Sequence, residues 1–243
     1  MTLRLLVSVR DLDEALAAAD AGADFIDLKE PADGALGALA PARVAQIVSV
    51  LRMRHPSLRI SATVGDLPVR EQAEILRRVE RVASCGVDYV KVGLWPAPGV
   101  AAAAALRGLV DALAACPAHI VPVLVADAGV DEALLGYALR RGSFPALMVD
   151  TAEKRAGSLL QRLPLPVLAA FVEAVRARGA MAGLAGSLRV EDAFALRALA
   201  PDFAGFRGAV TRGARTGVLD PRRVRQLRRR LAAGTGAPLA AAA

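Results

Sequence analysis

Residues 23–29 read Ala-Asp-Phe-Ile-Asp-Leu-Lys, residues 87–93 read Val-Asp-Tyr-Val-Lys-Val-Gly, and residues 201–207 read Pro-Asp-Phe-Ala-Gly-Phe-Arg. Each stretch opens with an aspartate in second place and continues with apolar residues at every other position. Residues 144–150, Phe-Pro-Ala-Leu-Met-Val-Asp, hold the corresponding place without the first aspartate. Side chains alternate between two faces along a β-strand. The pattern therefore predicts four strands with one apolar face and one face that carries the charges.

These stretches are the even-numbered members of a series of eight apolar runs, which alternate with helical patterns rich in Ala, Leu and Arg. The predicted strands cover residues 3–8, 25–29, 59–65, 88–94, 119–126, 146–151, 180–186 and 203–208. Strands that alternate with helices form parallel βαβ units, and eight of them predict a closed (β/α)8 TIM barrel. An open doubly wound sheet is the alternative, but no G-x-G-x-x-G motif follows the first strand.

Composition limits the class of protein. The chain has 243 residues, 55% of them hydrophobic, which suits one domain with a large core. We assign residues 1–231 to the barrel and residues 232–243 to a flexible tail. No apolar run is long enough to cross a membrane, and the first residues lack a signal-peptide pattern. Two cysteines are too few for a disulfide framework or a zinc site, so we expect a cytoplasmic protein without membrane contact.

The formal net charge of +7 raises the question of a nucleic-acid partner. Residues 222–230, Arg-Arg-Val-Arg-Gln-Leu-Arg-Arg-Arg, hold six arginines, and the rest of the chain carries only +1. We interpret this segment as the solvated face of a last helix, where cations are favourable near the C-terminus. A polyanion contact or a subunit interface is the alternative. We expect no nucleic-acid partner and a homo-oligomer.

Charged residues share one face of the even-numbered strands. If the apolar face packs on helices, the charged face points into the barrel. Layers inside such barrels draw side chains from alternate strands, and active sites lie at the C-terminal mouth. We therefore expect five side chains to converge there. They are Asp27, Lys29, Lys91, Asp150 and Arg207.

The lysines indicate what chemistry this mouth carries. Lysine and arginine together number 31, and only Lys29, Lys91 and Lys154 are lysines. All three are predicted at or just beyond the ends of even strands. A lysine can lose its proton and attack a carbonyl, whereas a guanidinium stays protonated. The distribution predicts amine chemistry, and the alternative is that Lys29 and Lys91 are core ion-pair partners of Asp27 and Asp150.

Other kinds of catalytic site fit less well. The histidines and cysteines fall away from the predicted mouth, at His55, His119, Cys85 and Cys116. Asp66, Asp127 and Asp150 end strands and could hold a magnesium ion. The lysines of the same mouth already supply positive charge, so we expect no metal and no cofactor. Asp127 fits a ligand for a substrate hydroxyl and a helix cap equally well.

The loops after strands 7 and 8 predict a phosphate site, since these loops commonly bind phosphate in such barrels. Strand 7 ends at Gly186 with Ser187 next in the chain, and strand 8 ends at Arg207 and Gly208. Glycines let the backbone approach an anion, and arginine offers a bidentate donor. We expect a small phosphorylated substrate as the partner. A glycine in a tight turn is the structural alternative.

Eight short motifs along the chain carry a resemblance to a known family. They occupy residues 6–8, 22–31, 34–37, 61–66, 88–94, 150–154, 184–187 and 206–209. Together they resemble the (5-formylfuran-3-yl)methyl phosphate synthase family, which makes the furan of methanofuran. The resemblance implies a reaction that joins two molecules of glyceraldehyde 3-phosphate with loss of one phosphate and water.

The same resemblance implies roles for individual residues. Lys29 corresponds to the Schiff-base lysine and Lys91 to the proton-transfer lysine. Asp27, Asp150 and Lys154 match the supporting charged positions. A neighbouring ammonium would disfavour the charged form of Lys29 and leave more free amine.

Three further residues at strand ends, Ser8, Asp66 and Asp127, are expected to contact the substrate. The alternative function is a class I aldolase that acts on another sugar phosphate. Such an enzyme would use the same lysine and the same phosphate loops.

Overall fold

The computed structural model describes residues 3–96 and 99–232. Eight parallel strands form a closed barrel in chain order, which confirms the predicted TIM barrel. The strands are β1 (Arg4–Val9), β2 (Phe25–Leu28), β3 (Arg59–Thr63), β4 (Tyr89–Leu94), β5 (Ile120–Val125), β6 (Ala146–Asp150), β7 (Met181–Leu184) and β8 (Phe203–Phe206). The helices are α1 (Leu12–Asp20), α2 (Pro41–Arg54), α3 (Gln72–Ala83), α4 (Val100–Ala114), α5 (Glu132–Arg141), α6 (Leu159–Arg162), α7 (Leu165–Arg176), α8 (Ala193–Leu199) and α9 (Pro221–Ala232).

The predicted strands are all present, and several end earlier than expected. β3 stops at Thr63 because Gly65 turns the chain with a φ of 100°. β7 stops at Leu184 because Gly186 and Ser187 adopt φ angles of 116° and 46°. Helix α9 continues to Ala232, and the rest of the predicted tail, residues 233–243, lies outside the described residues.

Two apolar cores hold the barrel. The larger core lies between the strands and the helices, and the smaller one fills the barrel interior around Phe25, Met148 and Phe203. As predicted, the apolar positions of the even-numbered strands all belong to the larger core. They are Ile26, Leu28, Val90, Val92, Leu147, Val149, Ala204 and Phe206. The charged positions therefore face the interior.

The aspartate that opens three of the even strands has a structural cause. Asp88 accepts the N–H of Ile60 at 2.7 Å, and Asp202 accepts the N–H of Ala182 at 2.8 Å. Asp24 does the same for a backbone N–H of β1 at 2.7 Å. In each pair the carboxylate satisfies a donor near the start of the preceding odd-numbered strand. The sequence repeat thus reflects strand pairing at the N-terminal end of the barrel.

The basic segment forms most of α9. Its apolar residues, Val224, Leu227 and Leu231, are buried against the barrel, and most of its arginines face solvent. Arg228 pairs with Asp24 at 3.1 Å. Across residues 3–96 and 99–232, no helix has the length and apolar character that crossing a membrane requires.

Candidate active site

Asp27 is the centre of a buried polar cluster inside the barrel, at the bottom of its C-terminal mouth. The strand register places it between Ser8 of β1 and Ser61 of β3. Both hydroxyls donate to its carboxylate, at 3.0 Å and 2.7 Å respectively. Lys91 of β4 reaches the same carboxylate at 3.0 Å, and both side chains are buried. Four strands therefore contribute to one hydrogen-bonded group.

Electrostatics keep this carboxylate charged. Burial opposes ionisation of Asp27, but attraction from Lys91 and Lys29 outweighs it, so the pKa lies below its ordinary value. Ser61 also contributes through its hydrogen bond. The Lys91–Asp27 pair is thus an ammonium held on a carboxylate, an arrangement that can pass a proton over a short distance.

Lys29 lies one residue beyond β2 and is 6% exposed. Its Nζ donates to the carbonyl of Ala35 at 3.2 Å. Lys91 and Lys154 each form an ion pair with an aspartate, and Lys29 forms none within residues 3–96 and 99–232. Lys29 is therefore the lysine with the least electrostatic support for its ammonium form.

The pKa of Lys29 follows from this placement. Burial lowers it from 10.5 to about 8, against attraction from Asp150 and Asp27. Repulsion from Lys154 and Lys91 adds to the decrease as smaller effects. The ammonium effect expected from the sequence is thus present, but desolvation is the larger cause.

Asp150 ends β6 and binds Lys154 at 2.6 Å. It also accepts the N–H of Thr151 at 2.7 Å, and Lys154 donates to the carbonyl of Thr151. Burial opposes ionisation of Asp150, yet Lys154 and Lys29 lower its pKa below the ordinary value. Lysines and carboxylates consequently alternate around the mouth.

A cavity of about 950 Å³ opens above these groups. Its lining includes most of the predicted site, namely Ser8, Asp27, Lys29, Lys91, Asp150, Lys154, Gly186, Ser187, Arg207 and Gly208. Asp66 and Asp127 are not part of the lining. The alternation of strand faces therefore identified the convergent lysines and carboxylates, but not the roles of the aspartates in the loops.

Asp66 positions a loop instead of lining the cavity. Its two carboxylate oxygens accept the N–H groups of Ala35 and Leu36, at 2.7 Å and 2.8 Å. The carbonyl of Ala35 in turn accepts the Lys29 amine. Gly34 precedes this turn with a φ of 91°, and a side chain there would collide with Asp66. The expectation of a substrate contact is replaced by a positioning role.

Asp127 has a similar place on the other side of the barrel. Its carboxylate accepts the N–H groups of Ala152 and Glu153, at 2.6 Å and 2.9 Å, and pairs with Arg162 at 3.0 Å. These contacts fix the loop that carries Lys154. Asp127 caps no described helix, and the expectation that it binds a substrate hydroxyl stays a prediction.

Arg207 is also different from expectation. Its guanidinium forms a buried ion pair with Glu14 of α1, at 2.5 Å and 3.1 Å. It also donates to the carbonyls of Ser8, Arg215 and Gly217, at 3.1 Å, 2.7 Å and 2.8 Å. These bonds occupy its five N–H groups. Arg207 braces the structure around the mouth, and the predicted phosphate contact does not fit this arrangement.

The loops after β7 and β8 retain donors for an anion. Within the described residues, the backbone N–H groups of Gly186, Ser187, Gly208 and Ala209 donate to no acceptor of the chain. Ser187 adopts a positive φ of 46°, which non-glycine residues seldom adopt. Consecutive free N–H groups in such a turn form a concave anion-binding surface.

Sequence reasoning missed several residues of the site. Ser61 has an inward position on an odd strand, and the alternation of faces could have identified it. Four arginines also line the cavity: Arg155, Arg189, Arg215 and Arg223. They lie in the loops after strands 6, 7 and 8 and in the first turn of α9. Their place in loops was visible, but nothing in the sequence gave their direction.

Among residues 3–96 and 99–232, no group of three His, Cys, Asp or Glu side chains is arranged to hold a metal ion. Two of the aspartates considered for magnesium, Asp66 and Asp127, are committed to backbone N–H groups.

A closed (β/α)8 barrel with buried lysines and carboxylates at its C-terminal mouth defines an enzyme of the TIM-barrel class. A sequence profile described as 4-HFC-P synthase matches residues 5–228, and the chain belongs to this family. A putative (5-formylfuran-3-yl)methyl phosphate synthase of Methylorubrum extorquens is 41% identical, covering 98% of this chain and 95% of its own length. The (5-formylfuran-3-yl)methyl phosphate synthase of Methanopyrus kandleri is 35% identical, covering 96% of this chain and 100% of its own.

Solved structures agree with the fold. Phosphoribosyl anthranilate isomerase from Thermococcus kodakaraensis has a TM-score of 0.64 at 17% identity, covering 96% of this chain and 100% of its own. At this identity the likeness concerns the barrel alone.

Proposed function

We propose that this enzyme joins two molecules of glyceraldehyde 3-phosphate through an imine on Lys29. The product is (5-formylfuran-3-yl)methyl phosphate, and one phosphate and two molecules of water are released, which balances the atoms. The observation that carries the proposal is Lys29 itself, a buried amine with a pKa of about 8 and no carboxylate partner among the described residues. Membership of a family whose relatives carry this synthase name supports the product. The substrate is the one that the resemblance implies.

The chemistry begins when the neutral Lys29 amine attacks the substrate aldehyde and water leaves. The resulting imine draws electrons from the adjacent carbon, so the C–H bond there becomes acidic. Loss of that proton breaks the C–O bond on the next carbon, and the phosphate leaves with the bonding electrons. This step is why we class the reaction as a carbon–oxygen lyase. The terminal carbon is now nucleophilic and forms a bond to C2 of the second triose phosphate, which has isomerised from the aldehyde to the ketone. Loss of two molecules of water closes the furan, and hydrolysis of the imine takes up the water that its formation released.

Lys91 and Asp27 suit the proton transfers. The Lys91 ammonium lies 3.0 Å from the ionised Asp27 carboxylate, so the pair can accept a proton at one step and return it at another. Asp150, at the end of β6, and Lys154, in the loop that follows, form a second lysine–aspartate ion pair. The free N–H groups of Gly186, Ser187, Gly208 and Ala209 support a phosphate site.

A direct test supplies glyceraldehyde 3-phosphate as the sole substrate. We expect ultraviolet absorbance from a conjugated furan aldehyde, together with one equivalent of inorganic phosphate per product. An aldol product without a furan, or turnover only with another sugar phosphate, would identify a class I aldolase instead. No covalent adduct after borohydride reduction with substrate would exclude the imine route altogether.

The proposal requires only small phosphorylated molecules as partners and no cofactor, because lysine supplies the electron sink. A reducing cytoplasm is the compartment we infer for it, and both cysteines are free thiols.

A further inference from the structure

Within the described residues, four arginines that line the cavity form no ion pair, and Arg215 is the one among them that is partly buried, whereas Arg155, Arg189 and Arg223 are exposed. Arg215 lies in the loop between β8 and α9. Its guanidinium donates to the carbonyl of Gly34 at 3.0 Å, on the loop that follows β2. Within residues 3–96 and 99–232 it forms no ion pair, whereas Lys91, Lys154 and Arg207 each have a carboxylate.

The backbone of Arg215 is held by buried groups. Arg207 donates to the carbonyls of Arg215 and Gly217, at 2.7 Å and 2.8 Å. Arg207 is itself fixed by Glu14, and Arg10 donates to the carbonyl of Thr216 at 2.7 Å. The loop is thus attached to α1, β1 and β8 by charged side chains. This bracing directs the guanidinium across the mouth toward the β2 loop.

A partly buried cation without a counter-ion is costly, because protein provides less solvation than water. Burial lowers the pKa of Arg215, and attraction from Asp150 is the largest opposing effect. Asp150 forms no ion pair with Arg215 among the described residues and instead binds Lys154 at 2.6 Å. A guanidinium can donate two parallel hydrogen bonds to one phosphate. An anion that enters with the substrate would provide the counter-ion that Arg215 lacks.

We propose that Arg215 forms a second phosphate-binding subsite on the β2–β8 side of the cavity, separate from the free N–H groups of the β7 and β8 loops. The ligand is the phosphate group of a phosphorylated aldehyde. Because Arg215 contacts Gly34 and Lys29 contacts Ala35, the subsite and the amine share one loop. The assignment of this second phosphate to a substrate rests on the proposed function, which requires two phosphorylated molecules.

Inorganic phosphate tests the subsite without any turnover. We expect titration calorimetry to give two phosphates bound per wild-type chain and one per Arg215→Gln chain. Arg215→Lys keeps the charge and should retain the second phosphate with a weaker Kd. Arg212→Gln is the matched control, because Arg212 lies in the same loop, is not part of the cavity lining and has a 72% exposed side chain. It should bind as wild type does.

A second measurement separates phosphate binding from a structural effect. Borohydride trapping on Lys29 is compared for glyceraldehyde 3-phosphate and for glyceraldehyde, which lacks the phosphate. We expect Arg215→Gln to lower trapping efficiency at least tenfold for the phosphorylated aldehyde and to leave glyceraldehyde unchanged. An equal loss for both would mean that Arg215 only shapes the loop, and this would overturn the subsite.

The two proposals fail in different ways. One phosphate per wild-type chain, or two in Arg215→Gln with an unchanged Kd, would overturn the subsite and leave the furan-forming reaction standing. Loss of the second phosphate in Arg215→Gln, with no furan product from the wild type, would retain the subsite and remove the proposed reaction.

Discussion

Lys29 differs from the other two lysines because its ammonium group has no carboxylate partner among the described residues. Lys91 and Lys154 each lie on an aspartate, whereas Lys29 meets a backbone carbonyl. From sequence the three lysines were equivalent, and only the resemblance selected one of them. Alternation along a strand gives the face of a side chain but not its partner. The pairing of Asp27 and Asp150 with particular lysines depends on strand register and loop path.

Replacing Lys29 with arginine should remove the imine and keep the fold. Arginine retains the charge and most of the volume, but it does not deprotonate near neutral pH. We expect Lys29→Arg to form no borohydride adduct and no furan product, as measured by intact mass and ultraviolet absorbance.

The matched variant is Lys91→Arg. It should still form the adduct on the peptide that carries Lys29 while losing most turnover, because its proposed role is proton transfer. An adduct on Lys91 or Lys154 in the wild type would reassign the nucleophile. An active Lys29→Arg enzyme would contradict the mechanism.

The pH dependence of trapping should report the pKa of Lys29. With a pKa of about 8, the amine is mostly protonated at pH 7. The neutral fraction, and with it the initial trapping rate, should rise about tenfold per pH unit well below pH 8 and level off above it. An inflection near 10.5, the ordinary value, would mean that Lys29 is solvated in solution.

Asp150→Asn offers an internal check on the cause. Asp150 attracts the Lys29 ammonium and raises its pKa. Without that charge the inflection should move below pH 8. A shift to higher pH would contradict the assigned sign.

The loops after the strands contain most of the residues whose roles could not be predicted from the sequence. Asp66 and Asp127 lie in the loops after odd-numbered strands, and each binds the loop that follows a neighbouring even strand. Their position at the mouth favoured substrate binding. Their direction toward backbone N–H groups depends on how the loop folds, which no periodicity encodes. The eight strands were predictable because alternation and helix spacing are local properties.

Asp66→Asn should therefore impair Lys29 without touching the substrate. An amide accepts with one oxygen only, so one N–H of Ala35 or Leu36 loses its charge-assisted partner. A buried donor left unpaired costs about 1–3 kcal/mol. We expect a lower thermal midpoint and trapping on Lys29 slowed several-fold.

Asp33→Asn is the control, since Asp33 is exposed in the same loop and its carboxylate makes no hydrogen bond among the described residues. It should behave as wild type. If Asp66→Asn raised only the KM for substrate and left trapping of glyceraldehyde unchanged, the original expectation of a substrate contact would be restored.

The ion pair between Glu14 and Arg207 links α1, the first helix, to the end of β8, the last strand. Both side chains are buried, with exposures of 5% and 6%. Removing one partner of a buried pair leaves an uncompensated charge, which costs about 3–5 kcal/mol. Arg207→Leu should lower the free energy of unfolding by that amount in chemical denaturation.

A double substitution tests the cause. Glu14→Leu with Arg207→Leu removes both charges, so its loss should be smaller than the sum of the two single losses. Arg59→Leu breaks a pair in which Arg59 is 60% exposed, and it should have a much smaller effect. Additive losses would show that the two residues act independently.

The charged face of α9 can be tested by substitution, and the structure shows which of its arginines should be kept. Arg223 lines the cavity and Arg228 pairs with Asp24, so both are kept. The four other arginines of the helix, Arg222, Arg225, Arg229 and Arg230, are exposed. Changing these four to glutamine leaves the buried Val224, Leu227 and Leu231 intact, so we expect kcat within twofold of wild type, about 0.4 kcal/mol.

Sedimentation velocity is measured together with turnover, so that a change in kcat can be separated from a change in oligomeric state. An unchanged kcat and unchanged assembly would fit a solvated helix face. A tenfold loss of kcat without a change in assembly would show that the exposed charges serve the reaction. Dissociation of an oligomer would instead assign this face to a subunit interface. Arg223→Gln is the contrast, because Arg223 reaches the cavity and donates to the carbonyl of Thr211 at 2.5 Å, so its loss should alter turnover where the other four do not.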